Sequence, residues 1–155
     1  MAASSSKPHG RLTPPVYLLG ALASIVVGRL AIPGSAYATS LTLAIGATLL
    51  FGGAALGVAG RRAFEERGTA LSPNEVPSDL VESGVFGITR NPMYLGMALI
   101  VGATALLLGE PAGVGLGLLF VWIMNRQFVP AEERVLEETF GEPYVRYKAA
   151  VRRWI

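Results

Sequence analysis

Four apolar runs organise this chain, at 14–32, 37–60, 92–109 and 112–129. A membrane-spanning helix needs about 20 apolar residues, with a range of roughly 17–25, and all four runs fall within it. None alternates apolar and polar residues at a helical spacing that would leave a water-facing side. That argues against the alternative of a soluble protein with four buried core helices. Pro14 and Pro15 suit a helix start, where a missing N–H costs nothing. Gly109-Glu110-Pro111 is a tight turn, so the third and fourth runs are predicted to form an antiparallel hairpin. Glycines recur inside the runs. Gly53…Gly57 and Gly113…Gly117 both have the GxxxG spacing that lets helix backbones approach closely in lipid.

Composition supports the membrane reading. Of 155 residues, 52% are apolar and 15% charged, against about 25% charged in soluble domains, and the mean hydropathy is +0.48. The length suits one domain over 14–155, preceded by a polar tail over 1–13 expected to be disordered. There is no cysteine, which excludes disulfides, thiolate catalysis and cysteine-ligated metals. The one histidine, His9, lies in the tail. Histidine catalysis and clustered metal sites are therefore not expected.

The net charge is only +2, and its distribution says more than its sum. Arg61, Arg62, Arg67 and Arg90 fall between the second and third runs. Arg134, Arg146, Lys148, Arg152 and Arg153 follow the fourth, while 31–36 and 109–111 carry no Lys or Arg. The positive-inside rule then puts both termini, the 61–91 loop and the 130–155 tail in the cytoplasm, on an inner membrane. Arg29, near the outer end of the first run, is expected to snorkel to the headgroups. Lys7, His9 and Arg11 before an apolar stretch, with Ala36-Tyr37-Ala38 after it, also imitate a cleavable signal peptide, which would leave the orientation of the rest unchanged.

The polar segments carry the candidate chemistry. In the 61–91 loop, Pro73, Pro77, Gly84 and Gly87 imply fixed turns. Arg90-Asn91-Pro92 opens the third run, with Asn91 a natural N-cap. The tail begins at Pro130, which is predicted to start a separate amphipathic helix with Glu132 and Glu133 in its first turn. Val135, Leu136 and Phe140 supply its apolar face and Gly141 its C-cap. Tyr144, Tyr147 and Trp154 are expected at the membrane interface. Taken singly, these features describe a capped helix start and a surface helix.

Their combination is more specific. Leu80-Val81-x-Ser83-Gly84-Val85-Phe86-x-x-x-Arg90-Asn91-Pro92-x-Tyr94-x-Gly96 precedes a hydrophobic hairpin. Glu132-Glu133-x-x-Leu136-x-x-x-Phe140-Gly141-x-x-Tyr144-x-x-Tyr147 follows it. From Gly68 to Arg153 this resembles the isoprenylcysteine carboxyl methyltransferase family, which shares its layout with membrane phospholipid methyltransferases. The first two runs match only as hydrophobic segments. The resemblance implies an all-α, polytopic S-adenosylmethionine-dependent methyltransferase, with four transmembrane helices, a cytoplasmic cofactor-binding loop and a C-terminal amphipathic helix. Carried over by position, Ser78, Asp79, Leu80 and Val81 would line the cofactor pocket, with Phe86 where the family often has tyrosine. Asn91, Pro92, Met93 and Tyr94 would follow at the helix mouth, and Glu132 would contact the cofactor. Two positions depart from the family: Asn91 stands where it has histidine, and Phe128 where its eukaryotic members have a substrate arginine. Arg126 is the nearest basic residue, and with Glu133 it forms the candidate catalytic pair.

Methyl transfer from a sulfonium needs alignment more than acid–base chemistry, so it asks for no metal, thiol or histidine. A lipophilic small molecule or membrane lipid would arrive laterally from the inner leaflet; nucleic acid is not an expected partner. Carboxylate, thiol, amine and phospholipid headgroup acceptors are all compatible. Met124 and Phe128, about one turn apart, would present an apolar surface to the acceptor, and Arg126 would attract an anionic group on it. A non-catalytic four-helix scaffold or transporter subunit is the competing class. A transporter should hold polar groups at the bilayer midplane, whereas the span centres here hold little beyond Ser24, Thr42, Thr48 and Thr104.

Overall fold

The computed structural model describes residues 13–32, 37–69, 77–110 and 112–155. The expectations for the 1–12 tail, the 33–36 turn, most of the 68–73 segment and Pro111 lie outside them. Helix α1 is Pro14–Ala31, and α2 is Ser40–Glu66. A 3-10 turn at Gly84–Gly87 leads to α3, Pro92–Leu108. Then come α4 (Ala112–Ile123), a π-helical segment (Met124–Phe128), α5 (Val129–Phe140) and α6 (Glu142–Ala150). No strand occurs among the described residues.

Local chemistry accounts for most boundaries. α2 opens on a reciprocal cap: the Thr42 N–H donates to Thr39 Oγ1 (3.2 Å) and the Thr39 N–H to Thr42 Oγ1 (2.8 Å). It runs past Gly60 to Glu66, because nothing breaks it before Gly68, whose φ of +59° is left-handed. α3 ends at Gly109 (φ 63°, ψ 33°), and α4 returns beside it as the expected hairpin.

The tail departs from expectation. Instead of a new helix at Pro130, α4, the π segment and α5 form one helix, Gly113–Phe140, of 28 residues. In the π segment the Val129 N–H bonds to Met124 O, five residues back. Proline lacks an N–H and clashes with the carbonyl four residues before it. The wider turn just ahead of Pro130 lets the helix carry a proline that would otherwise break it. At 1.5 Å per residue such a helix is about 42 Å long. A hydrocarbon core of about 30 Å cannot contain it, so its polar α5 end projects beyond.

α1, α2 and the Gly113–Phe140 helix are long and apolar enough to cross a membrane, and α3 is a shorter apolar helix. Their outward faces carry Leu30, Phe51 and Leu118 at 73%, 74% and 69% exposure, a surface suited to lipid. α3 is central, against α1, α2 and α4. Its seam with α2 is built on glycine. Gly46, Gly53 and Gly60 recur every two turns on the buried face of α2. A Cβ at Gly53 would sit 2.6 Å from the Gly96 carbonyl oxygen, and one at Gly60 2.8 Å from Met93. On the other side Gly113 meets Ala105 and Ile25. Both GxxxG segments thus lie at helix contacts.

Beyond the polar helix ends sits a second core. Val81, Phe86, Tyr144 and Tyr147 are buried together, against Phe64, Leu136 and Phe140. Tyr144 is 1% exposed, and the Tyr147 hydroxyl donates to Phe86 O at 2.8 Å. The two tyrosines therefore join the loop to the tail rather than lying at a membrane interface. Burial, then the negative charge of Glu133, pushes the Tyr144 hydroxyl up to about 12, and burial raises Tyr147 too. Both stay protonated, so Tyr147 keeps its donor at any physiological pH.

Candidate functional site

The start of α3, the first turn of α5 and the 151–154 segment converge at one end of the helix bundle. Glu132 and Glu133 are neighbours in sequence but turn about 100° apart on the helix, and they meet different partners. Glu132, half-buried, accepts a hydrogen bond from the Tyr94 hydroxyl. It makes no ion pair among the described residues. Glu133 is buried and saturated. Arg153 holds it with one guanidinium edge, Nε to Oε1 at 3.0 Å and Nη2 to Oε2 at 2.6 Å, and Arg90 Nη2 adds a contact to Oε1 at 3.1 Å. Arg90 itself keeps two buried nitrogens, Nε and Nη1, without a partner among the described residues. A buried unmatched N–H costs about 1–3 kcal/mol, so this end of the bundle holds donors that want an acceptor.

The 89–91 turn is fastened to 152–153. The Arg90 N–H donates to Arg152 O (3.0 Å). Thr89 Oγ1 and Asn91 Nδ2 both donate to Arg153 O, at 3.1 and 3.0 Å. Asn91 occupies the N-cap position of α3 as expected, but its side chain makes no capping bond, because Arg153 O has taken it. Pro92 is buried, Met93 faces the glycine seam at Gly60, and Tyr94 packs with Phe120, Met124 and Val129. The π segment supplies Asn125, whose Oδ1 accepts from Arg153 Nη1 (2.9 Å) and Trp154 Nε1 (3.3 Å).

The loop residues make a separate set of contacts. Thr69 Oγ1 accepts the N–H groups of Ser78 (2.9 Å) and Asp79 (3.2 Å). Arg67 reaches Asp79 Oδ2 (3.0 Å), Leu80 O (3.3 Å) and Ser83 Oγ (3.3 Å). Val81 and Phe86 belong to the second core. No hydrogen bond or ion pair joins Ser78 or Asp79 to Glu132 among the described residues. Arg126 is exposed on the π segment and unpaired among them. Met124 is fully buried, and Phe128 sets its ring edge-on to Tyr17 of α1 (5.6 Å, 76°), so neither stands as an open apolar wall. Two open clefts lie on the surface, and neither is lined by Glu132, Tyr94 or Arg90. One of about 510 Å³ between α5 and α6 is lined by Glu133, Glu137 and Lys148, and one of about 370 Å³ lies between the end of α2 and the 3-10 turn.

Sequence reasoning misses Arg67, Arg90, Asn125 and Arg153 as site residues. In the sequence the arginines stand as orientation charges, and Asn125 is one polar residue at the end of an apolar run. Nothing local marks any of them as a clamp, because their partners lie far along the chain.

Residues 41–143 match the phospholipid methyltransferase family. Over 72 residues the chain is 33% identical to protein-S-isoprenylcysteine O-methyltransferase B of Arabidopsis thaliana, covering 46% of this chain and 36% of that protein. It is 33% identical over 72 residues to the protein-S-isoprenylcysteine O-methyltransferase of Saccharomyces cerevisiae, covering 46% and 30%. It is also 42% identical over 64 residues to an uncharacterized protein of Haemophilus influenzae, covering 41% of this chain and 100% of that protein. The alignments thus span about a third of each isoprenylcysteine methyltransferase. No solved structure matches. The family match covers well over half the chain and takes in α2, α3, Glu132 and Glu133, and the chain belongs to the phospholipid methyltransferase family.

Proposed function

We propose that this chain is a multi-pass membrane methyltransferase that takes its methyl group from S-adenosylmethionine and delivers it to a lipophilic acceptor. It forms one domain over 14–155. In this reading α1, α2, α3 and the α4 part of the long helix span the inner membrane, and the arginine-rich 61–91 and 130–155 segments face the cytoplasm.

The observation that carries the reading is an unmatched pair of groups at one helix mouth. Glu132 is a half-buried carboxylate with a phenol for a partner and no cation among the described residues. Arg90 presents two buried nitrogens, Nε and Nη1, with no acceptor among the described residues. A ligand with both an ammonium and a carboxylate, such as the amino-acid end of S-adenosylmethionine, satisfies both. When bound, that cofactor supplies a methyl already electrophilic on a sulfonium and leaves as a neutral thioether.

Glu132 would hold the ammonium or a ribose hydroxyl, with Tyr94 fixing its orientation. Arg90 would hold the carboxylate, with Asn91, Pro92 and Met93 shaping the mouth. Ser78, Asp79 and Leu80 would close over it on the loop that Arg67 clamps, and Val81 and Phe86 anchor that loop in the second core. Glu133 acts through Arg90 and Arg153, since both its oxygens are occupied. Arg126, exposed on the π segment, would attract an anionic acceptor. The names of the aligned relatives favour a prenylcysteine carboxylate, and that of the family a phospholipid headgroup.

Incubating the purified chain with methyl-labelled S-adenosylmethionine and, in parallel, an N-acetylated prenylcysteine, total membrane lipid and a soluble extract tests this. Label is expected in one of the first two. Label only in aqueous macromolecules, or none anywhere, defeats the reading.

A further inference from the structure

We infer that Arg153 is a positioning residue for the cofactor site, one that keeps Glu133 neutralised so that, of the two adjacent glutamates, Glu132 meets the ligand. The inference rests on the methyltransferase reading and adds to it a residue outside the 80–147 pattern.

Arg153 makes five polar contacts from one position. Its guanidinium takes both oxygens of Glu133 and the Oδ1 of Asn125, and its carbonyl takes the Thr89 hydroxyl and the Asn91 amide. These partners lie on three different pieces: the α3 mouth, the π segment and α5. Arg153 is thus the point at which the three elements around Glu132 are tied together. Its neighbours continue the strap: Arg152 O accepts from the Arg90 N–H, and Trp154 Nε1 donates to Asn125.

Charge gives the arrangement its consequence. Two adjacent glutamates at one site repel each other and compete for the same cation. With Arg153 and Arg90 both on Glu133, that carboxylate is compensated and its geometry fixed. Glu132 is left as the acceptor without a cation among the described residues. Without Arg153, Glu133 keeps only the contact to Arg90 Nη2. Arg90 is then drawn toward it and the second carboxylate competes for the ligand's ammonium, while the residue-153 carbonyl that accepts from Asn91 is backbone and stays. Only arginine serves here, because a planar fork reaches Glu133 with two nitrogens and Asn125 with the third, while lysine offers a single point charge.

The test uses the full chain in lipid nanodiscs, with S-adenosylhomocysteine as the calorimetric probe and S-adenosylmethionine in turnover. Arg153→Met should raise both the dissociation constant and the cofactor KM by roughly tenfold or more. It should leave kcat at saturation within about threefold, as expected when binding and not chemistry is lost. Amide exchange at Arg90 should accelerate in the same variant. Arg153→Lys should recover melting temperature while recovering only part of the affinity, a split that a purely structural role does not produce. A folded Arg153→Met that binds the probe like wild type overturns the inference, as does full recovery of affinity in Arg153→Lys. Failure of the wild-type chain to bind the probe removes the methyltransferase reading itself, a different result from intact wild-type binding that is insensitive to Arg153.

Discussion

Gly53→Ala adds one methyl group at the tightest point of the α2–α3 seam. The new Cβ would lie 2.6 Å from the Gly96 carbonyl oxygen, 3.0 Å from Ile100 Cγ1 and 3.1 Å from Leu99 Cβ. The first of these is backbone and cannot rotate away. To reach ordinary contact the helices must part by about 0.6–0.8 Å, a gap that already forfeits about a quarter to a half of each dispersion well along the seam. Overpacking of this kind costs about 1–3 kcal/mol, or several degrees of melting temperature at about 2–4 °C per kcal/mol for a chain this long. Gly52→Ala is the control. Nothing lies within 4 Å of its added Cβ, and replacing a helical glycine by alanine gains about 0.5–1 kcal/mol. The two variants differ by one position and should move in opposite directions in thermal unfolding in detergent, followed by circular dichroism. Gly96 is two residues from Tyr94, so the damaged seam should also weaken cofactor binding. If Gly53→Ala melts at or above the wild type, as Gly52→Ala is expected to, the seam is not the close contact described here.

Glu132→Ala should weaken S-adenosylhomocysteine binding by roughly tenfold to more than a hundredfold, since a charged hydrogen bond is worth about 1.5–3 kcal/mol; unchanged affinity in a folded protein would refute the assignment. Tyr147→Phe leaves the Phe86 carbonyl without its buried donor, and should cost about 1–3 kcal/mol, read as a lower midpoint of unfolding; an unaltered midpoint would mean the tail does not hold the loop. Since the chain has no cysteine, single replacements report topology: Glu82→Cys should label only after permeabilisation and Tyr37→Cys from outside, and labelling of Glu82→Cys in intact cells would invert the orientation.

Short-range pattern made the helices and the family legible. The apolar runs, the Gly109 turn and the Gly141 stop are encoded within a few residues, and all act where the sequence places them. The motif from Leu80 to Tyr147 was readable for the same reason, as spacing along the chain. Even there, a local rule misled at Pro130. Proline after an apolar run reads as a helix start, and only the π turn from Met124 to Phe128 shows how the helix passes through it.

The site itself was decided by contacts that no local window contains. Thr89 and Asn91 meet Arg153 across more than sixty residues, and Tyr94 meets Glu132 across thirty-eight. Sequence determined that two carboxylates stand side by side at the start of α5, and that arginines gather in the segments before α3 and after α4. It could not say which carboxylate each arginine would take, because that depends on the angle at which α5 presents them to α3. The tertiary structure assigns Glu133 to Arg90 and Arg153 and leaves Glu132 to Tyr94, since a helix turns its neighbouring side chains about 100° apart and only one of the two faces the cations.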